Sequence, residues 1–72
     1  MKVNLNSVEK VKTFVNDVNR FNADIDLVSS RYVIDAKSLM GIFSLDLSRP
    51  LEVQVNDKEQ EQAVYNVLKK YA

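Results

Sequence analysis

Ser38, set just ahead of Leu39-Met40-Gly41-Ile42-Phe43, is the side chain of this sequence best placed for chemistry. A hydroxyl at the start of a helix accepts hydrogen bonds from the free N–H groups of the first turn. A phosphate esterified there would be held by the same N–H groups and by the helix dipole. Asp24 and Asp26 are a second candidate, since two carboxylates on one side of a strand can touch a cation. Without further oxygen ligands such a pair reads as a solvated strand face. The sequence has no histidine and no cysteine, so neither a zinc site nor a disulfide is expected, and no metal is assigned. A single glycine leaves no Gly-rich phosphate loop, no catalytic triad is present, and Tyr32, Tyr65 and Tyr71 lack the spacing of a stacking platform. The chain is expected not to be an enzyme and to need no cofactor.

Ser38 must be positioned by its neighbours. Leu39, Met40, Ile42, Phe43 and Leu45 put apolar groups all round a helix of barely two turns, from Ser38 to Phe43, and so short a helix cannot bury every side. Upstream, Met1 to Leu5 alternates as a strand, and Asn6 with Glu9 has capping-box spacing. Val8, Val11, Phe14, Val15, Val18 and Phe21 form one helical stripe, with Glu9, Lys10, Lys12, Asp17 and Arg20 largely off it. Ala23 to Leu27 reads as a second strand, Ser29-Ser30 as a turn, and Arg31 to Ala36 as a third strand with Tyr32 and Ile34 inward. Arg49-Pro50 stops any helix before the fourth strand, Leu51 to Val55. Asp57 caps a last helix, with Gln60 at the box position. Ala63, Val64, Val67, Leu68 and Tyr71 make its buried stripe, and Lys69 and Lys70 suit its C-terminal end. The order β-α-β-β-α-β-α, in strands with one polar and one apolar face, predicts an α+β fold. It is an antiparallel sheet covered by helices on one side. Val3, Phe14, Val18, Ile25, Ile34, Ile42, Leu45, Val53, Val64 and Leu68 are the expected core.

Residues 1–72 read as a single small domain with a thin core. Ten acidic and ten basic side chains cancel, which argues against nucleic acid or an anionic membrane as partner. No apolar run spans a membrane and the N-terminus lacks a signal-peptide layout, so a soluble, cytoplasmic protein is the default; a monomer is also expected.

Lys37-Ser38-Leu39-Met40-Gly41-Ile42 with Ser44-Leu45, together with Phe21-Asn22-Ala23-Asp24-Ile25 and Ala63-Val64, closely resembles HPr, the histidine-containing phosphocarrier of the bacterial sugar phosphotransferase system. The resemblance spans nearly the whole chain. It implies the HPr-like open-faced β-sandwich, a four-stranded antiparallel sheet with three helices on one face. In that family one histidine, within a His-x-Arg-Pro pattern before the first helix, carries the phosphate. Aligned without gaps, Ser7 falls in the histidine's place, Glu9 in the arginine's and Lys10 in the proline's. A serine phosphoester transfers onward only uphill, and Glu9 would repel the phosphate, so phosphocarrier activity is not expected. At Ser38 the resemblance implies a regulatory serine, substrate of an HPr-type serine kinase in some lineages; the plainer role is a helix cap worth about 1 kcal/mol. Leu39, Met40 and Phe43 match positions through which HPr contacts enzyme I and other partners, whereas Ile42 and Leu45 match buried ones. The expected function is a binding or regulatory module acting on phosphotransferase-system or regulatory proteins through the Ser38 helix. The alternative is a phosphotransferase-system regulatory protein modified at Ser38.

Overall fold

Ile25 and Leu27 alternate with Asp26, and Leu51, Val53 and Val55 with Glu52 and Gln54, and this period of two builds the centre of the sheet. The computed structural model describes residues 1–72. Its elements are β1 (Lys2–Val3), α1 (Val8–Val18), β2 (Ile25–Ser29), β3 (Tyr32–Asp35), α2 (Leu39–Phe43), β4 (Leu51–Val55) and α3 (Lys58–Leu68), closed by a 3-10 turn, Lys69–Tyr71. The strands lie in the order β1-β4-β2-β3, every neighbour antiparallel. Pairs such as Ile25↔Val55 and Leu27↔Val53 face the helices, and Asp26↔Gln54 and Val28↔Glu52 face away. One cluster of buried side chains joins Val3, Leu27 and Val53 of the sheet to Val11 and Phe14 of α1, Ile42 of α2 and Val64 and Leu68 of α3. This is the α+β arrangement of a four-stranded antiparallel sheet and three helices that the resemblance implies.

Several local expectations are corrected. The cap of α1 is Ser7, not Asn6: its extended backbone (φ −151°, ψ 155°) lets its Oγ accept the Lys10 N–H at 3.1 Å. Val8, at the first helical position, is left exposed, as is Ala63 on α3. Gln60 does not close a capping box. Its side-chain amide instead donates to Asp57 Oδ2 (2.9 Å) and to the Asn22 carbonyl (3.1 Å). The β2–β3 turn is Ser30-Arg31, with Ser30 in the left-handed region at φ 53°. Tyr32 does not point into the core, because no helix reaches over the hairpin end of β3. It lines an open groove of about 400 Å³ with Ile34, Ser44 and Leu45. Ile34 and Leu45, at the margin of α2, are only half-buried.

Asp17 is the largest departure. It lies buried within the apolar stripe of α1 rather than off it. The Tyr71 hydroxyl donates to its Oδ2 at 2.6 Å, and Lys70 Nζ lies 3.0 Å from the same oxygen. The Tyr71 ring meets Phe14 edge-on (centroids 5.4 Å apart, 81° between planes), and its carbonyl accepts the Asn4 N–H at 2.7 Å. The final turn of chain therefore ties α1 to the residue following β1. Burial pushes the Asp17 carboxyl up. The hydrogen bonds from Tyr71 and Lys70, with the charges of Lys70 and Arg20, outweigh it and hold the carboxyl below its ordinary value. Burial and donation to Asp17 push the Tyr71 hydroxyl up.

A folded-state value for Asp17 below its unfolded 3.8 means the stabilisation is complete above that pH. It is lost as pH falls through the folded value. Tyr71→Phe should cost about 1–3 kcal/mol near neutral pH, since it strips a donor from a buried carboxylate. It should also flatten the acid loss of stability, because Asp17 then titrates closer to its unfolded value. Urea midpoints of parent and variant, measured from neutral pH down to about pH 3, check both effects.

Candidate functional site

Ser38 sits in an extended conformation (φ −96°, ψ 103°) at the mouth of α2, where its Oγ accepts the Gly41 N–H at 3.1 Å. Its own N–H donates to the Asp35 carbonyl at 3.0 Å, and Asp35 Oδ1 accepts the Lys37 N–H at 2.9 Å. At the other end of the helix, Ser44 Oγ donates to the Gly41 carbonyl at 2.6 Å. Both ends of a five-residue helix are thus held by serine hydroxyls, and burial of Ile42 anchors its middle. Lys37 does not stand over Ser38. Its ammonium donates to the Phe21 carbonyl at 2.8 Å, just beyond the end of α1.

Gly41 sets how deeply α2 is seated. A Cβ there would lie 2.7 Å from Ile34 Cγ2 and 3.0 Å from Ser38 Oγ, so only glycine lets the helix rest directly on β3. With Ile42 turned inward, the remaining apolar side chains turn out: Met40 is 86% exposed, Phe43 41% and Leu39 38%. The three form a band on a helix that is otherwise well fixed. Tyr32, Ile34 and Leu45 line the neighbouring groove.

The other sequence candidates lie elsewhere. Ser7 is the cap of α1, with Glu9 exposed in the first turn beside it, and shares no hydrogen bond with Ser38. Asp26 Oδ2 accepts the Asn56 side-chain amide at 2.9 Å, and the Asp24 carbonyl accepts the Asn56 N–H at 2.9 Å. No three His, Cys, Asp or Glu side chains converge on a common point. Two residues stand elsewhere than the sequence suggests, Tyr32 beside the candidate surface rather than in the core and Asp17 inside the core rather than off the stripe. The signal for Asp17 was its place three residues after Phe14 and four before Phe21, within the stripe.

Gly41→Ala should lift α2 off Ile34. The β-branched contact cannot yield freely, so overpacking of about 1–3 kcal/mol outweighs the helix-propensity gain of about 1 kcal/mol. Thermal unfolding measures the net loss, and amide shifts should change at Ile34 and along α2 more than in α3.

Comparison with known proteins places this geometry. A family profile described as PTS HPr component phosphorylation site matches residues 9–72, so Ser7 lies just outside the matched segment. No curated relative matches the chain. Among solved structures it is similar to the Bacillus subtilis catabolite repression protein Crh, at 29% identity and a TM-score of 0.75. That likeness covers 99% of this chain and 82% of the other, and the Crh structure is described as a domain-swapped, intertwined dimer. Sequence profile, sheet order and helix placement agree: the chain belongs to the HPr family.

Proposed function

We propose that this HPr-family chain does not carry phosphate between proteins and acts as a binding or regulatory module, engaging its partners through α2. The observation that carries the reading is the outward band of Met40, Phe43 and Leu39 on a helix pinned by Ile42, Gly41 and two serine caps. A pre-ordered apolar surface loses little conformational entropy on binding, and adaptable methionine suits more than one partner. Phosphotransferase-system and regulatory proteins are the partner class, since the family acts on them and Crh is named for catabolite repression. In this reading residues 1–72 work as one cytoplasmic domain without enzymatic activity.

The case against phosphate transfer rests on composition and on one position. The chain has no imidazole, and Ser7, where the family's histidine falls, spends its oxygen on the Lys10 N–H with Glu9 close by. Incubated with phosphoenolpyruvate and enzyme I, the protein should gain no acid-labile phosphate by intact mass. Recovery of a phosphorylated form that passes its phosphate to a sugar-specific acceptor domain defeats the reading.

Ser38 is the site at which α2 would be regulated. Its Oγ accepts a hydrogen bond and donates none, so esterification breaks no donor contact. A phosphate there adds charge beside the apolar band and leaves the cap in place. Titrated with phosphotransferase-system proteins, Met40→Asp should fold as the parent does and bind at least about tenfold more weakly, a loss of about 1.4 kcal/mol. Ser38→Asp should shift affinity with little change in stability. Full binding by a correctly folded Met40→Asp rules out α2 as the contact surface.

A further inference from the structure

The sheet ends at β3, and no proline, lysine or bulge protects that edge. β1, on the opposite side, is only two residues long and carries Lys2. β3 has four residues without proline, lysine or bulge, in unbroken register with β2. The Ala36 N–H donates to the Ile25 carbonyl at 2.9 Å, which sets the phase of the ladder. Two and four residues back, Ile34 and Tyr32 exchange main-chain bonds with Leu27 and Ser29. The Arg31 carbonyl, both main-chain groups of Val33 and the Asp35 N–H therefore point away from the sheet. The Asp35 carbonyl points the same way, but the Ser38 N–H already occupies it.

By strand alternation the side chains of Arg31, Val33 and Asp35 share the face without helices. Val33 is 61% exposed there, beside Val28 on β2. Asp35 stands directly opposite Asp26, an unfavourable like-charge pair, and neither carboxylate meets a cation. Arg31, at the other end of the strand, has no carboxylate within ion-pair distance. One edge thus carries a cation without an ion-pair partner at one end, hydrogen-bonded carboxylates without a cation at the other, and an apolar side chain at its midpoint.

We propose that β3 is an interface between two copies of this chain, paired antiparallel about a twofold axis at Val33. The register puts Val33 opposite Val33 and Arg31 opposite Asp35 twice over. Val33 exchanges its N–H and carbonyl with its equivalent, and each Asp35 N–H donates to the Arg31 carbonyl of the other copy. All the outward groups that remain free in one chain are then satisfied. Each Arg31 meets the Asp35–Asp26 pair, and the Val28 and Val33 side chains of both copies form an apolar strip between the ion pairs. Two four-stranded sheets become one continuous sheet joined at β3, the free edge of the order β1-β4-β2-β3. A monomer is the expectation; the edge geometry points to self-association. A strand this short covers less than the about 1,600 Å² of a stable interface, so the association is weak and concentration-dependent.

Sedimentation equilibrium from micromolar to millimolar protein tests it. The apparent mass should climb from 8.3 kDa toward twice that value. Val33→Pro removes an N–H that faces away from β2, so it should fold normally, as amide spectra and thermal unfolding would show, and stay monomeric. Arg31→Asp and Asp35→Arg chains should each associate at least about tenfold more weakly alone, and an equimolar mixture of the two should recover association, because the ion pairs are complementary again. A parent that remains monomeric throughout overturns the proposal. So does a dimer that survives Val33→Pro or ignores both charge changes, as a strand-exchanged or α2-mediated dimer would.

Discussion

Only one face of the sheet is apolar, and three helices must share it. α1 and α3 take the larger part with Val11, Phe14, Val18, Val64 and Leu68. The sheet supplies Val3, Ile25, Leu27, Leu51, Val53 and Val55 beneath them, and little of that face is left for a third helix. α2 fits by being short, by resting a glycine on Ile34, and by committing one residue, Ile42, to full burial. The exposure of Leu39, Met40 and Phe43 follows from this crowding.

Charge is balanced in total and unevenly distributed. The one buried carboxylate, Asp17, is compensated by Tyr71 and Lys70, and those contacts dock the end of the chain onto α1 and onto the residue after β1. A buried anion is tolerated only where donors converge on it, and here the donors come from the last three residues of the chain. The Asp26–Asp35 pair on the open face accepts the Asn56 amide and the Lys37 N–H but meets no cation within the chain. These two acidic sites differ in consequence: the first closes the fold and the second leaves an unmet electrostatic demand at the sheet edge.

The HPr-family scaffold of this chain rests on local features. The sheet order, the helix placement and the capped short helix depend on apolar patterning and on serine and glycine at particular backbone positions. They form here in a sequence that contains no histidine. Ser7 keeps a structural task at its position, accepting the Lys10 N–H as the cap of α1.

The sequence by itself determined the element order, the boundaries of β4, the caps Ser38 and Asp57, and most of the core. These are local matters: strands alternate with period two, helices repeat with period 3.6, and a capping side chain reaches only the next turn. It also determined that imidazole and thiolate chemistry are absent, because composition needs no geometry. Only the tertiary structure decided the fate of Tyr32, Val33, Asp17 and Gly41. Tyr32 and Val33 show the alternation of a strand, but whether a strand lies at an edge, and whether a helix covers its end, depends on partners distant in the chain. Asp17 became a core residue because Tyr71, far along the sequence, delivers a donor to it. Gly41 became a seating point because Ile34 lies beneath it. Each depends on a contact between different elements, and such contacts leave no period in the sequence.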